Sequence, residues 1–425
     1  MDKINLSPEV EIRADDFHYK VSGLNDPTRI YRGAYAGQLR RTGYSKDFDI
    51  ATSIKFRLYM DAAIDDTLSF KGNLLYANSS QSNERVCILS RDIKSVSSSS
   101  AFDVERAYID YTPNKSSPYA FTLSAGLLPT TGGTPMQYAQ DGKRKSMFPA
   151  LVFDMNTYGL IGTQKLGDDT YIRAIAAKGY TLRDNFYPYQ CNRENIDNAN
   201  VFGIYGDTKF KFLGNSLLSF GVNMLHDFKA HPYLGPDINA DNADKLGNIF
   251  TFGLGIDIDK FANQDMTVFL HTALSSPDGN GHKDDYQILS DTDAQKEAGL
   301  TKAGYPGFSV ADYAQGDMIS DTGYSIYLGG KYDITNTINI GAEYNHGSKY
   351  WFSATQGAED MYNKLATRGH VSEVYGMWKF HKNLYTKIGY MYSKENYTGS
   401  GWHFGEPASK NGTQKVGYMS LKAKF

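Results

Sequence analysis

The sequence predicts an all-β chain closed into a transmembrane up-and-down antiparallel β-barrel of about sixteen strands, with short periplasmic turns and long extracellular loops. Three observations predict it. Apolar and polar residues alternate with period two down the whole chain. Short and long connections take strict turns. The last strand ends on an aromatic residue.

The alternation is the primary signal, because a strand turns successive side chains to opposite faces. Near 50–61, Ile54, Phe56, Leu58 and Met60 share one face, while Lys55, Arg57, Tyr59 and Asp61 share the other. Near 248–258, Phe250, Phe252, Leu254 and Ile256 alternate with Thr251, Gly253, Gly255 and Asp257. The same rhythm runs through 217–227, 337–346 and 384–393. Strands are expected to start near residues 4, 48, 67, 101, 119, 150, 170, 201, 216, 248, 265, 323, 336, 368, 384 and 413. Each is about the 9–11 residues that a tilted strand needs to cross a bilayer.

The connections give the architecture. Segments 61–67, 112–118, 164–169, 212–216, 259–265, 333–337 and 380–384 are short and rich in turn-forming residues. Between them lie long polar loops at 16–47, 79–100, 128–149, 182–200, 228–247, 275–322, 347–367 and 396–412. An even strand count puts both chain ends on the periplasmic side. A soluble sandwich rarely reaches this length as one domain, and no blade-length repeat supports a propeller. Residues 1–425 therefore read as a single barrel domain.

The final strand carries Met419, Leu421, Ala423 and Phe425 on one face and Tyr418, Ser420, Lys422 and Lys424 on the other. An alternating last strand with a terminal aromatic is the form of signal read by bacterial barrel-assembly machinery. It places the chain in the outer membrane of a Gram-negative bacterium, among lipid and lipopolysaccharide. An exported barrel needs a signal peptide, yet alternation begins almost at Met1. The numbering is expected to be that of a trimmed or mature form.

Composition agrees. The 32 Tyr and 23 Phe suit aromatic girdles at two membrane interfaces. A mean hydropathy of −0.47 excludes a bundle of membrane helices but not a barrel, whose strands show lipid only every second residue. A net charge of −3 without a basic stripe argues against a nucleic-acid partner. Cys87 and Cys191 form no metal or haem motif and fall in outer loops, where a disulfide is one outcome and two separate thiols the other.

Function in such a barrel belongs to its inward face and to any loop folded inside. The expected lumen residues are Lys55, Arg57, Lys71, Arg106, Asp110, Asp154, Arg173, Asp207, Lys209, Asp257, Lys331, Glu343, Glu373, Lys379 and Lys387. Both signs occur, and such charges set ion preference in channels. The plainer alternative is that each pairs with a neighbour on the wall. Loop 128–149 is the third long loop, the one that in general porins often narrows the pore. Gly132 and Gly133 would permit a sharp re-entry, bringing Asp141, Lys143, Arg144 and Lys145 to a constriction that favours anions. The competing view leaves that basic run in solvent or against lipopolysaccharide. Loop 275–322 is the longest and is acidic, a candidate plug or lid. Its Asp278, Asn280 and Asp284 weakly suggest a calcium loop but lack the glycine and the closing glutamate of an EF-hand. No Ser or Asp is tied by a recognisable motif to His226, His231, His271, His282, His346 or His370, so no enzyme and no cofactor is expected.

The segment Gly126–Asp154 also resembles part of a family of proteobacterial porin-like proteins usually catalogued as a domain of unknown function. The resemblance rests on Pro129, Thr130, Thr131, Gly132, Gly133 and Pro135, then on Pro149, Ala150, Leu151, Phe153 and Asp154. Leu68–Gly72 is similar as well. It implies a barrel and leaves the solute open. Many members carry an N-terminal coiled coil, which these residues do not contain. Some relatives sit beside redox proteins. That implies a rival role, a sheath or docking partner for a periplasmic multihaem cytochrome, although a sheath usually needs well over twenty strands. The expected function is a passive diffusion channel for small solutes or ions, as a monomer or a homotrimer. A plugged structural or surface barrel is the remaining alternative.

Overall fold

The computed structural model describes residues 4–25, 44–79, 100–178, 200–211, 214, 216–230, 244–279, 321–355, 362, 364–397, 407 and 409–425. These form sixteen strands: β1 (Ile4–Asn25), β2 (Tyr44–Ala63), β3 (Leu68–Ser79), β4 (Ser100–Tyr111), β5 (Phe121–Leu127), β6 (Tyr158–Leu166), β7 (Thr170–Lys178), β8 (Asn200–Phe210), β9 (Ser216–Ala230), β10 (Asp244–Ile258), β11 (Met266–Gly279), β12 (Gly323–Asp333), β13 (Ile338–Gly347), β14 (Gly369–His381), β15 (Leu384–Tyr397) and β16 (Ser409–Lys424). Each pairs antiparallel with its chain neighbours, and β1 pairs with β16 to close the barrel. Closure leaves no sheet edge, so both sides of every strand find backbone partners without water.

The period-two pattern maps onto two faces. Phe250, Phe252 and Leu254 of β10 are exposed outward, while Thr251 and Asp257 on its other face are buried. On β15, Ile388, Tyr390 and Tyr392 point outward and Tyr385 and Met391 inward. Met419, Leu421 and Phe425 lie on the outer wall, with Phe425 65% exposed. The amide of Phe425 donates to Pro8 O at 3.1 Å, fixing the end of β16 beside the start of β1.

The short turns are closed by their own side chains. Asp65 Oδ1 accepts from the amides of Thr67 (2.7 Å) and Leu68 (2.8 Å), and Thr335 Oγ1 accepts from those of Thr337 (3.2 Å) and Ile338 (2.9 Å). These are the local bonds that make Asp and Thr turn residues.

Two expectations are corrected. The sixth strand begins at Tyr158 rather than near residue 150. Residues 149–153 are a turn, with the amides of Val152 and Phe153 both donating to Pro149 O at 3.0 Å. Several outer connections are also shorter than expected, because the strands beside them are longer. β1 reaches Asn25 and β2 begins at Tyr44, while β9 ends at Ala230 and β10 starts at Asp244. The connection between β5 and β6 is longer, spanning 128–157.

The largest buried apolar cluster lies within the lumen. It joins Leu128, Phe148, Leu151, Val152 and Phe153 of the β5–β6 connection to Trp351, Phe352 and Leu365 of the β13–β14 connection.

Candidate functional site

The β5–β6 connection enters the lumen because its strands stop early. β5 and β6 pair only as far as Leu127–Tyr158, so the chain leaves the wall there. Apolar side chains then hold it inside. Phe148 packs edge-on against Tyr205 of β8 at 4.5 Å and against Phe153 at 6.0 Å. Burying each such ring is worth roughly 1.5–3 kcal/mol. Entry and exit cross closely at Gly133, where a Cβ would stand 1.7 Å from Phe148 O. Asp154, expected on a strand, lies instead in this connection, buried, and its Oδ1 accepts from the Gly132 amide at 3.1 Å.

The tip of this loop is tethered around the barrel. Thr134 Oγ1 and Tyr138 OH (3.1 Å) donate to Asp257 Oδ2 of β10, whose Oδ1 meets His271 Nε2 of β11 at 2.7 Å. Asp141 is ion-paired with Lys331 of β12 at 2.8 Å and with Lys379 of β14. Arg144 reaches Asp207 of β8 at 3.0 Å, a carboxylate that Arg173 of β7 also holds at 3.0 Å. Tyr385 OH of β15 donates to Gln140 O at 3.0 Å, and Arg106 of β4 donates to Lys145 O at 2.9 Å. Asp257, Lys331, Lys379 and Tyr385 all lie within two residues of the short-turn ends of their strands. The loop therefore descends from the long-loop side to the short-turn side.

Titration in the tip follows from these contacts. Burial raises the Asp141 carboxyl, but Lys331 and Lys379 outweigh it and hold the group below its ordinary range. Burial, then the neighbouring Asp257 carboxylate, pushes the Tyr138 phenol up.

The β13–β14 connection is the second inward loop. Trp351 is 1% exposed and its Nε1 donates to Leu365 O at 2.8 Å. The Phe352 amide donates to Ser275 Oγ of β11 at 2.9 Å. Lys364 is buried between Glu373 (2.7 Å) and Glu343. Glu343 also accepts from Tyr327 OH at 2.7 Å, and Lys387 stands 3.5 Å from Glu373. Tyr362 stacks on Phe17 at 6.0 Å and donates to Asp15 at 3.0 Å. The two loops meet where the Asp154 amide donates to Ala354 O at 2.8 Å.

The opposite wall carries a charge ladder. Arg57 forks onto Glu105 at 2.9 and 3.0 Å and lies 3.6 Å from Glu9. Lys422 meets Glu9 at 2.9 Å and Glu11 at 3.7 Å, and Asn73 Nδ2 donates to Glu105 at 2.7 Å.

The residues singled out from sequence are thus distributed unevenly. Lys55, Arg57, Arg173, Asp207, Asp257, Glu343 and Glu373 are buried on the inner face. Lys71 and Asp110 form a separate pair at 2.9 Å. Lys209 is exposed near the short-turn end of β8. In the basic run, Lys143 is exposed, Lys145 lies over the Tyr59 ring at 5.7 Å, and Arg144 is tied to the wall. Asp278 is exposed at the end of β11, while Asn280, Asp284, Cys87, Cys191 and most of loop 275–322 lie outside the described residues. Among the described residues no group of His, Cys, Asp and Glu could hold a metal ion. Sequence reasoning missed Glu105, Lys364, Lys422 and the pairing of His271 with Asp257. Lys422 carries a weak signal, at an inward position of an alternating strand, whereas Glu105 has the opposite parity to Arg106 and Asp110 and turns inward only at an irregularity in the β3–β4 register. Lys364 carries none.

The profile of a family described as protein of unknown function (DUF3373) matches residues 45–423. No curated protein matches the chain. Among solved structures, OprB of Pseudomonas putida at high pH is similar with a TM-score of 0.51 and 9% identity, covering 100% of this chain and 94% of that one. The outer membrane channel DcaP of Acinetobacter baumannii has a TM-score of 0.47 and 11% identity, covering 99% and 97% of the two chains. Salmonella typhi OmpF in complex with daunomycin has a TM-score of 0.49 and 12% identity, with 99% and 97% covered. At these identities the likeness is one of fold, and the OprB match carries it.

Proposed function

The chain belongs to the family described as protein of unknown function (DUF3373), and on that premise we propose that it is a passive outer-membrane channel for small hydrophilic solutes or ions, narrowed by its own two inward loops. The observation that carries this reading is the β5–β6 connection crossing the lumen from wall to wall, tethered to β8, β10, β12, β14 and β15. A sixteen-stranded barrel is wide enough to hold water. Loops laid across such a bore set its width and its field. The apolar outer wall suits lipid, and the polar inner wall suits solvated traffic.

One observation favours a second reading. The buried apolar cluster shared by the two loops is the kind of contact that shuts a lumen, as in a plugged barrel. Electrical recording separates the two. Purified protein, folded in detergent and added to a planar bilayer, is expected to insert in discrete steps of steady current. Folded protein that inserts and carries no current would overturn the channel and favour the plug.

A further inference from the structure

We propose that the tip of the β5–β6 loop and the wall beside it form a binding site for small anions, oxyanions above all; this rests on the channel reading just given. Three acids of the lumen are already fully engaged. Asp141 is held by Lys331 and Lys379, Asp207 by Arg144 and Arg173, and Glu9 by Arg57 and Lys422. Each of these deep carboxylates thus meets two cations.

Beside them stand cations that make no ion pair with a carboxylate among the described residues. Arg106 donates to Lys145 O and to the carbonyl and hydroxyl of Thr131, so its hydrogen bonds bring it no counter-charge. Lys424 lies over the Tyr385 ring at 5.3 Å. Lys143 is exposed, with no ion pair among the described residues. These groups converge. A Cβ at Gly142 would stand 3.4 Å from Lys424 Nζ, so the loop tip touches β16 there, and Lys143 is the next residue. Arg106 is bonded to the backbone of Lys145, two residues further on. Lys145 and Lys422 are near enough to Lys424 to oppose its charge; Glu9 and Asp141 act on it with the opposite sign, but each of those carboxylates already holds two other cations.

Like charges gathered in a narrow, partly dehydrated passage repel one another, and an anion entering there relieves the repulsion. A passage lined by one sign also concentrates the opposite ion. The guanidinium fork of Arg106 suits the planar oxygens of a carboxylate or phosphate. Arg144, the central residue of the basic run, is not part of this site because Asp207 engages it.

The test uses the full chain in a planar bilayer with a potassium chloride gradient, then with inorganic phosphate added to both sides. The wild-type reversal potential is expected to report chloride passing more readily than potassium, and phosphate is expected to reduce the chloride current. In Lys143→Gln/Lys424→Gln the chloride-to-potassium ratio is expected to fall about tenfold, the scale of one lost charge contact, with a matching loss of phosphate block. Lys143→Glu, at an exposed position, gives the same readout should the double variant fail to fold. Lys415→Gln on the outer wall is expected to change neither. A wild-type channel with no anion preference, or variants that keep it, would overturn the anion site and leave the channel standing. Absence of any current would remove the channel itself.

Discussion

The two inward loops are held in opposite ways. The β5–β6 tip is tied by many separate bonds to strands around the barrel, each of moderate strength. The β13–β14 loop has apolar contacts and bonds to Ser275 and Asp15 as well, but it also buries an ammonium, Lys364, set between Glu343 and Glu373. The first arrangement resembles a brace with distributed charged footings, the second a packed plug with a charged latch. The difference teaches where each loop can fail. A brace loses little from one cut, whereas removing the latch leaves two carboxylates without their shared cation in a buried place.

The comparison is sharpest at Lys364. Lys364→Ala is expected to cost about 3–5 kcal/mol, the range for breaking a buried pair. Denaturant unfolding in detergent measures that loss, and a larger single-channel conductance would report release of the loop. An unchanged midpoint would make the two loops equivalent. Next comes Phe148→Ala, which removes the ring between Tyr205 and Phe153. It is expected to cost about 3 kcal/mol, read in the same unfolding experiment. A cost below about 1 kcal/mol would show that polar footings alone keep the brace in place.

A pH titration tests one footing in isolation. The folded Asp141 carboxyl is depressed, so its ion pairs stabilise the tip fully above the unfolded value, near 3.9. That contribution is lost as pH falls through the lower, folded value. Conductance is therefore expected to be steady at neutral pH and to change below about pH 4, and Asp141→Asn should abolish that component. The smallest effect is expected at Arg144→Gln, below about 1 kcal/mol, because Asp207 keeps Arg173 at 3.0 Å. A large loss in its unfolding midpoint would show that the brace hangs on one bond after all.

The wall of this molecule was legible in the sequence, and its contents were less so. Alternation places Lys55, Arg57 and Asp257 inward because strand geometry leaves no other option once the outer face meets lipid. The interior obeys no period. The run Phe148–Phe153 imitates a strand, since a short apolar stretch suits a buried turn equally well. Gly132 and Gly133 allow the tight crossing of the loop beside Phe148, but nothing in Lys143, Arg144 and Lys145 says which of the three a distant Asp207 will engage. Trp351 and Phe352 in a polar outer loop were a readable hint of burial. Lys364 was not, because only its encounter with Glu343 and Glu373 makes a buried lysine tolerable.

The most direct test of the whole account places a thiol at the loop tip. In a chain with Cys87 and Cys191 replaced by serine, Gly142→Cys has room for its side chain beside Lys424. A small charged thiol reagent is expected to react there and to reduce the single-channel current in one step. Full modification with an unaltered current would place the tip outside the conducting path and contradict the account.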